Sequence, residues 1–423
     1  MGINCRAGPF TGLAPGRAAC PTGKENAMKK VLAMLLITAL LLALCAACGG
    51  TAKAPSAPAT AAPVRTDAPG SAAPAETPEA ETASPEPAAE SDTRIITDIL
   101  GREVEIPAEV HTVAALSSAT RTITYAGGLS KVVGTSEMEK RADVGMPFAY
   151  ANRDYFAGCT AISSGGSGNA YYDEAIIELA PDIMIFNTNN VETCDDFQQK
   201  YGIPVIAIYA DRFNSPNLTN SIRLVGEVLG TQEHAERVAS AIEGWNAELN
   251  ALTKDIPNSE KPSVYLGAVS FSGGHGFCGT YCNYAPLMAI NALNLADALG
   301  EKGGVEIGME QVIEWDPDII FLNPGNMNLV NEEYADDPAA IDSLRAVQEG
   351  RVYAQVNFNY YSTNMELAIV DAYYAGTVIF PEAFKDIDFE AKAEEIFNTM
   401  IGMDYLDILE ENGLGFGPVT IGG

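Results

Sequence analysis

The chain has 423 residues, room for two or three domains, and 47% of them are hydrophobic, so large cores can form. Its formal net charge is −31, from 25 Lys and Arg against 56 Asp and Glu. A charge of that sign repels phosphate and argues against a nucleic-acid partner. Only three histidines occur, so the chain cannot build a metal cage from several histidines, and we predict no metal ligands within it.

The N-terminal region has the pattern of an export signal. Residues 1–27 carry no recognisable pattern, and we interpret them as an over-extended start. Residues 28–48 contain two lysines, an apolar run and small residues, the order of a secretory signal. The ending Cys45-Ala46-Ala47-Cys48 resembles a bacterial lipobox, which makes Cys48 the predicted lipidation site. A plain cleaved signal peptide is the alternative.

A low-complexity stretch follows at 49–93. It consists largely of Ala, Pro, Thr, Ser and Glu, cannot bury a core, and is predicted to be a disordered tether. Together, a lipidated cysteine and a tether predict an exported protein. We expect it to be anchored by lipid to the outer face of the cytoplasmic membrane, at the cell surface or in the periplasm.

The first globular part, 94–220, is predicted to be an α/β lobe. A hairpin is expected over 94–110, around Leu100-Gly101-Arg102. Short apolar strands are then expected at 113–116, 131–137, 183–186 and 205–209. Such runs alternate with helices, including one from Asp173, and this alternation predicts a parallel sheet covered on both faces.

Residues 221–257 are predicted to link this lobe to a second one, with a long helix over 231–255. Its apolar residues recur at gaps of four and three, which places them on one helical face: Val238, Ile242, Trp245, Leu249 and Leu252. Thr231 is the expected N-cap, and Pro257 prevents continuation of the helix. An ordinary amphipathic core helix is the alternative to this inter-lobe role.

The second lobe is predicted over 258–423. Its strands are expected at 264–269, 319–322 and 352–356, and its helices at 286–299 and 310–314. Near the end, 364–400 has the pattern of a long amphipathic helix, a Pro-Glu break and a closing helix.

An internal repeat relates the two lobes. The segment EAIIELAPDIMIFN at 174–187 matches EQVIEWDPDIIFLN at 310–323 in seven of fourteen positions without a gap. Each copy predicts a short helix, Pro-Asp, a buried strand and a strand-end Asn. Although chance similarity is the alternative, equivalent placement in both halves favours duplication. The predicted fold is therefore two Rossmann-like α/β lobes joined by a single long helix, with a ligand cleft between the strand-end loops and little motion between lobes.

In these features the chain resembles a substrate-binding lipoprotein of an ABC importer. It is similar to the helical-strut class, which binds siderophores, haem and cobalamin. The resemblance covers about 94–405 and rests on the hairpin ITDILGREVEIP, the two Pro-Asp units, the 231–255 helix and the segment at 364–400. In that class one exposed glutamate per lobe docks onto arginines of the permease, and the corresponding positions here are Glu174 and Glu310.

The resemblance implies ligand contacts from the strand-end loops and from aromatic side chains. We predict these at Ser118, Arg121, Glu137, Asn187, Arg212, His275, Phe277, Tyr281, Tyr284, Asn323, Tyr360 and Asn364, with Ser117, Tyr150, Asn189, Phe271, Phe358 and Tyr361 as further candidates. Aromatic rings suit a large planar or chelated ligand, and Arg pairs with its carboxylates or chelating oxygens. His275 is the candidate for an axial metal contact, although a loop histidine bonded to backbone is the alternative.

The resemblance implies a solute-binding protein that delivers a ferric siderophore-type metal chelate to an ABC permease and its ATPase. Haem or a corrinoid is the alternative ligand, and a non-transport surface sensor is the alternative role. Neither a Gly-x-Ser-x-Gly nor a His-Glu-x-x-His motif occurs, so we predict no enzyme and no resident cofactor. We expect a monomer. Cys278 and Cys282 have a spacing that allows a disulfide or two metal ligands, and the choice stays open.

Overall fold

The structure is a computed structural model that describes residues 92–166 and 168–423. The chain divides into two units, Met1–Ser84 and Pro85–Gly423, and the described residues all lie in the second. The predicted start region 1–27, the signal at 28–48, Cys48 and nearly all of the tether at 49–93 lie outside the described residues.

The globular part begins with the expected hairpin. Strand β1 (Thr93–Thr97) pairs antiparallel with β2 (Glu103–Pro107). Gly101 has φ of 81°, a left-handed conformation that the tight turn requires and that glycine adopts without a steric penalty. Asp98 holds the turn, because one carboxylate oxygen accepts hydrogen bonds from the backbone amides of Leu100 and Arg102.

The first lobe contains a five-stranded parallel sheet in the order β5-β4-β3-β6-β7. Its strands are β3 (Val113–Leu116), β4 (Val132–Ser136), β5 (Thr160–Ser163), β6 (Ile183–Asn187) and β7 (Val205–Ile208). The helices of this lobe are α1 (Ala119–Tyr125), α2 (Glu137–Arg141), α3 (Pro147–Ala151), α4 (Arg153–Gly158), α5 (Asp173–Leu179) and α6 (Val191–Tyr201). Strands β3 and β7 are buried along their whole length, as expected for a sheet covered on both faces.

Two helices lead from the first lobe to the second. Helix α7 (Pro216–Leu229) ends at Gly230, and α8 (Gln232–Thr253) is the predicted long helix, shortened by one residue at its start and two at its end. Its buried face contains Ile242 and Trp245. The expected cap at Thr231 does not form through its side chain: the hydroxyl is buried without a hydrogen-bond partner among the described residues.

The second lobe has a sheet of the same kind, in the order β10-β8-β12-β13-β14. Its strands are β8 (Ser263–Gly267), β10 (Leu293–Asn294), β12 (Ile319–Leu322), β13 (Val352–Ala354) and β14 (Gly417–Pro418). All pairs are parallel except β13 with β14. A separate antiparallel ribbon joins β9 (Gly279–Cys282) to β11 (Gly303–Glu306).

Within the described residues the second lobe contains eight α-helices, and one predicted helix is shorter than expected. They are α9 (Ala285–Ala289), α10 (Met309–Trp315), α11 (Met327–Asp336), α12 (Pro338–Asp342), α13 (Arg345–Gln348), α14 (Met365–Ile379), α15 (Phe389–Ile401) and α16 (Leu406–Glu411). The helix expected over 286–299 stops at Ala289, because Asn291 turns to φ of 53° and the chain then enters β10. A short 3-10 helix over Leu295–Leu299 completes that stretch.

Helix α14 is not amphipathic, contrary to the prediction. All but two of its fifteen residues are buried, including Glu366 and Asp371, so it is a core helix that is covered on every face. Helix α15 packs on α14 and also contacts α1 and α3 of the first lobe. The C-terminal helices therefore return to the first lobe and add to the connection that α8 makes.

One hydrophobic core runs through both lobes. It includes Val113 and Ile183 of the first sheet, Leu266 and Phe321 of the second, and Ile242 of α8. Polar contacts also cross between the lobes: Tyr360 donates a hydrogen bond to Asp143 at 2.7 Å, and Tyr405 donates one to the Val144 carbonyl at 3.0 Å. These contacts support the expectation of small motion between lobes.

The repeated Pro-Asp units have the same structure in both lobes. Helices α5 and α10 both have seven residues and end in a left-handed residue, Ala180 or Asp316. Asp182 accepts hydrogen bonds from the His111 and Thr112 amides, just before β3. Asp318 accepts them from the amide and hydroxyl of Ser263, at the start of β8. The repeated aspartate thus joins two neighbouring strands in each lobe.

Candidate functional site

One cavity lies where the strand-end loops of the first lobe face the second. Its volume is about 770 Å³. The lining residues from the first lobe are Ser117, Ser118, Met138, Gly166, Asn187, Thr188, Asn189, Tyr209, Ala210 and Asp211, and those from the second are Ser272, Tyr361 and Ser362. The predicted contacts Ser118 and Asn187 line this larger cavity, as do the further candidates Ser117, Asn189 and Tyr361.

A smaller cavity of about 410 Å³ adjoins the larger one, since Asp211 lines both. Its other lining residues are Arg212, Tyr281, Cys282, Asn283, Ala285, Lys302, Gly303, Phe358, Asn359 and Thr363. Arg212 and Lys302 are exposed, and the side chain of neither makes a hydrogen bond or ion pair with a described residue. The smaller cavity therefore offers two free cations in a chain whose net charge is strongly negative.

Aromatic rings form one side of the smaller cavity. The Tyr281 ring lies 5.7 Å from that of Tyr284, which lies 5.0 Å from Phe358. Burial raises the pKa of Tyr281, and nearby Arg212 opposes that shift. Tyr281 and Phe358 line the cavity, and Tyr284, which is as buried as Phe358, contacts both of their rings.

Lys302 was missing from the sequence prediction. It precedes β11, whose pairing with β9 places Gly303 opposite Cys282 and so brings Lys302 next to the cavity. The prediction considered the ends of parallel strands, and this ribbon is antiparallel. Asp211 was also missed, although it directly precedes the predicted Arg212 in the loop after β7. Its position next to Arg212 was the sequence feature that could have identified it.

Two repeated asparagines tie the strand-end loops together. Asn187 donates a hydrogen bond to the Ser118 hydroxyl at 2.8 Å, and Asn323 donates one to the Ser270 hydroxyl at 3.3 Å. The Asn187 side chain also accepts from the Ala210 amide at 3.0 Å. Asn187 lines the larger cavity. Because the oxygen and the nitrogen of its side-chain amide both already form hydrogen bonds, few hydrogen bonds remain for it to make to a ligand.

A third cavity, of about 270 Å³, contains two more predicted residues. Asn323 and Tyr360 line it, together with Gly145, Ser270, Gly325, Asn326, Val356, Asn357 and Leu414. Burial, and then the hydrogen bond to Asp143, raises the pKa of Tyr360 to about 12.

Arg121 and Asn364 lie in the protein interior instead of lining a cavity. The Arg121 guanidinium donates hydrogen bonds to the Asn364 side chain at 3.2 Å and to the Tyr361 carbonyl at 2.7 Å, and it lies over the Phe148 ring. Asn364 also donates to the Gly145 carbonyl at 3.0 Å. This arrangement fastens the segment before α14 to the first lobe.

Glu137, a predicted ligand contact, is followed two residues later by Glu139, a buried carboxylate that interacts with Arg121. Glu137 is exposed at the start of α2, one residue before Met138 of the larger cavity. The Glu139 carboxylate accepts a hydrogen bond from the Ser136 amide, and the Ser136 hydroxyl accepts one from the Glu139 amide, which together form a capping box; the same hydroxyl also lies within hydrogen-bond distance of the carboxylate. Burial raises its pKa, against the opposing effect of these hydrogen bonds and of Arg121.

His275 is engaged through both ring nitrogens. Nδ1 lies 2.6 Å from Glu306 and Nε2 lies 2.9 Å from the Phe271 carbonyl, while the ring stacks on that of Phe271 at 3.7 Å. The backbone-bonded alternative is therefore the one that the structure contains. Phe277 is fully buried in the core of the second lobe, and Tyr150 packs against Tyr405.

The four cysteines of the described residues, Cys159, Cys194, Cys278 and Cys282, are free thiols. Cys282 donates a hydrogen bond to the Ala296 carbonyl at 3.1 Å, and burial raises the pKa of Cys278 to about 11. Across the described ranges, no group of three or more His, Cys, Asp or Glu side chains is placed to hold a metal ion.

The two predicted docking glutamates occupy equivalent positions. Glu174 is the second residue of α5 and Glu310 the second residue of α10. Both are exposed, and neither has an ion-pair partner among the described residues.

The architecture identifies the family to which the chain belongs. A family model described as periplasmic binding protein matches residues 113–355, more than half of the chain. The chain is a member of the periplasmic binding protein family. The match extends from β3 of the first lobe to β13 of the second, so it includes parts of both lobes and all of α8.

Individual relatives agree with this assignment. The molybdate-binding protein MolA of Haemophilus influenzae is 21% identical over 338 residues, which is 74% of this chain and 92% of MolA. A periplasmic solute binding protein from Veillonella parvula aligns with a TM-score of 0.61 at 22% identity, covering 76% of this chain and 96% of that one. Helicobacter pylori CeuE with Ni(II) bound aligns at 0.55 and 16% identity, covering 73% and 96%. At these identities the solved structures establish the shared fold.

This binding protein is therefore an extracytoplasmic solute-binding protein of the ABC transporter class, and its relatives are transport proteins, not enzymes. No helix in the described ranges is both long enough and apolar enough for a membrane span.

Proposed function

We propose that this binding protein captures an anionic metal chelate of the ferric siderophore type and delivers it to an ABC permease and its ATPase. The observation that carries the proposal is the free pair Arg212 and Lys302 at the smaller cavity. A chain with a net charge of −31 repels anions at long range, so cations left without partners at one inter-lobe cavity favour an anionic ligand there.

The size and lining of the cavities support a chelate over a bare ion. The two adjoining cavities measure about 770 and 410 Å³, within the range of sites that hold drug-sized molecules. Tyr281 and Phe358 offer apolar contact to the rings of a chelator, while the hydroxyl and amide groups of the larger cavity offer hydrogen bonds. The metal in this proposal is cargo, enclosed by its chelator.

Haem and a cobalamin-type corrinoid are alternative ligands of the same class. Haem would present carboxylates to Arg212 and Lys302 and its ring to Tyr281 and Phe358. His275 supports an axial contact to haem poorly, because both ring nitrogens already have partners.

A molybdate-type oxyanion is a second candidate. The observation that favours it is the same cationic pair, together with the printed name of the relative MolA. A tetrahedral oxyanion has five heavy atoms and would fill a small part of the adjoining cavities, so we rank it below the chelate.

The deciding experiment is a binding titration on a soluble form that lacks residues 1–48. Tyrosine and tryptophan fluorescence would be followed against ferric tris-catecholate, ferric citrate, haemin, cyanocobalamin and molybdate. We expect a ferric chelate to bind at micromolar concentration or tighter. Saturation by molybdate alone, or by none of the five, would refute the chelate proposal.

Docking and anchoring complete the proposed role. We propose that Glu174 and Glu310 engage basic residues on a two-subunit permease, one from each lobe, and that a lipid on Cys48 retains the protein at the membrane. The equal placement of the two glutamates supports two equivalent docking points. A protein that binds the ligand and never docks on a permease would instead match the surface-sensor alternative.

A further inference from the structure

Helices α5 and α10 each carry an exposed isoleucine that does not pack in the core. Ile177 on α5 is 63% exposed and Ile313 on α10 is 41% exposed. The two residues occupy the same position of the repeat, three residues after Glu174 and Glu310. Single exposed apolar residues are ordinary on a protein surface, but the same one at equivalent sites in two lobes calls for a physical reason.

Packing in the core does not explain the two isoleucines. In each helix the preceding residue, Ile176 or Val312, is fully buried and completes the packing against the sheet. The next residue is rotated by about 100° around the helix axis, so it points away from the core. A polar side chain at 177 or 313 would leave the fold intact.

The isoleucines share their helix face with carboxylates. Residues three and four apart on a helix are neighbours, so Glu174, Ile177 and Glu178 form one surface patch. Glu310, Ile313 and Glu314 form its equivalent in the second lobe. All four carboxylates are exposed, and none is paired with a basic side chain in the described part of the chain.

We propose that each Glu-Ile-Glu patch is a complete docking contact for the permease, in which the isoleucine fills an apolar pocket beside a basic residue. This rests on the proposed function, in which the two lobes dock on two permease subunits. The exposed carboxylates, none of which has a basic partner among the described residues, supply charge complementarity to a basic partner, and the repetition of the patch matches a partner with two equivalent sites. In the docked complex the isoleucine becomes buried and supplies affinity, while the carboxylates orient the lobes.

The test begins by locating the contact. Full-length protein with p-benzoylphenylalanine at 177, at 313 or at 95 would be irradiated on membranes of the producing organism, and the cross-linked products identified by mass spectrometry. Ile95, which is 68% exposed on the hairpin, is the matched control. We expect positions 177 and 313, and not 95, to cross-link to the membrane subunits of an ABC permease. Identical products from all three positions would overturn the proposal.

The affinity of the full-length protein for that permease complex in nanodiscs then measures the contribution of each residue. We expect Ile177→Ser and Ile313→Ser to weaken docking by about tenfold each, the effect of losing a partly buried isoleucine. Ile95→Ser should change it by less than about twofold. Normal docking of the Ile177→Ser/Ile313→Ser double variant would overturn the inference.

Comparison with Glu174→Ala/Glu310→Ala separates the docking function from the apolar contact. If those glutamate substitutions weaken docking and the isoleucine substitutions do not, the docking function stands and the apolar contact fails. If wild-type protein does not bind the permease complex, the proposed docking itself fails. Sedimentation of a dimer that disappears in Ile177→Ser would also overturn the inference, because a second copy would then occupy the patch.

Discussion

Arg212 and Lys302 differ from most basic side chains of the described residues, which take part in ion pairs or hydrogen bonds. Arg223, for example, pairs with both Glu236 and Glu243. In a chain with more than twice as many acidic as basic residues, an unpaired cation is easily neutralised by a nearby carboxylate. That two remain free at one cavity is the residue-scale basis for an anionic ligand.

Reversing these charges tests that interpretation. We expect Arg212→Glu and Lys302→Glu each to weaken binding of an anionic ferric chelate by about tenfold, because each replaces an attraction by a repulsion. Wild-type affinity should also fall as salt rises, since both side chains are exposed and screened. Fluorescence titration at low and high salt measures both effects.

Lys254→Glu is the matched control for the charge reversals. Lys254 is exposed at the end of α8, outside the cavities, and is also without an ion pair among the described residues. Its reversal should leave the affinity within about twofold. An equal loss in Lys254→Glu would mean that net charge, rather than the cavity, controls binding.

Asp371 is the residue-scale feature that links stability to pH. It is fully buried in α14, and neither carboxyl oxygen accepts a well-formed hydrogen bond from a described residue. Burial therefore raises its pKa well above the ordinary range, and the Val356 amide opposes this only in part. In the unfolded chain the same group ionises near pH 4. Above that pH the unfolded state releases a proton that the folded state keeps, so the folded state loses relative stability as pH rises.

Asp371→Asn removes this titration. We expect the melting temperature of the variant, relative to wild type, to improve as pH rises above 4, by roughly 2–4 °C for each pH unit over which folded wild-type protein keeps the proton. Thermal denaturation at several pH values measures the change. Asp255→Asn, at an exposed position, is the comparison. A pH-independent difference between Asp371→Asn and wild type would contradict the assignment.

At the scale of elements, the repeated unit performs two tasks at once. Its aspartate joins neighbouring strands, and hydrogen bonds from strand starts lower the pKa of Asp182 and Asp318 although burial opposes this. Its helix presents Glu174 or Glu310 at the surface. Since the first task fixes the helix on the sheet, the glutamate is carried on a rigid support in each lobe.

Glu174→Ala/Glu310→Ala should reduce uptake of the ligand by at least about tenfold while leaving its affinity for the protein unchanged. The reason is that both carboxylates lie outside the cavities and act, in our proposal, on the permease alone. Uptake by cells and fluorescence titration measure the two quantities separately.

Glu192→Ala/Glu390→Ala is the control for this pair, because these are also exposed first-turn carboxylates, of α6 and α15. If the glutamates served only to stabilise their helix ends, both double variants would behave alike. A fall in ligand affinity in Glu174→Ala/Glu310→Ala would also speak against the docking role.

At the scale of the whole molecule, the lobes share one core and several crossing contacts. Helix α8 contributes Ile242 and Trp245 to that core, and Trp245 also donates a hydrogen bond to Glu395 of α15 at 3.1 Å. Lobes connected in this way are expected to unfold together and to move little relative to each other.

Calorimetry tests this expectation. We expect one unfolding transition, and we expect Ile242→Ala to shift it as a whole, with a loss of about 2–4 kcal/mol from the cavity it creates. Ala247→Ser, at an exposed position of the same helix, should change the free energy of unfolding by less than about 0.5 kcal/mol. Two resolved transitions, with only one of them shifted by Ile242→Ala, would show that the lobes unfold independently.

The sequence by itself determined the two α/β lobes, the long connecting helix and the equivalence of Glu174 and Glu310. These follow from local patterns: buried strands appear as short apolar runs, a helix face as a spacing of three and four, and a duplicated unit as two segments of fourteen residues with seven identical positions. Each pattern is contained within a few dozen residues, so no tertiary information is needed to find it.

Only the tertiary structure decided which side chains face the cavities. Arg121, a predicted ligand contact, lies in the interior, where its guanidinium donates a hydrogen bond to Asn364, far along the chain. Lys302 is a candidate because it precedes an antiparallel ribbon in which Gly303 pairs with Cys282, and it lines the same cavity as Arg212. Burial and pairing depend on residues that are distant in sequence and meet only on folding. A single sequence contains no local pattern that predicts such long-range contacts.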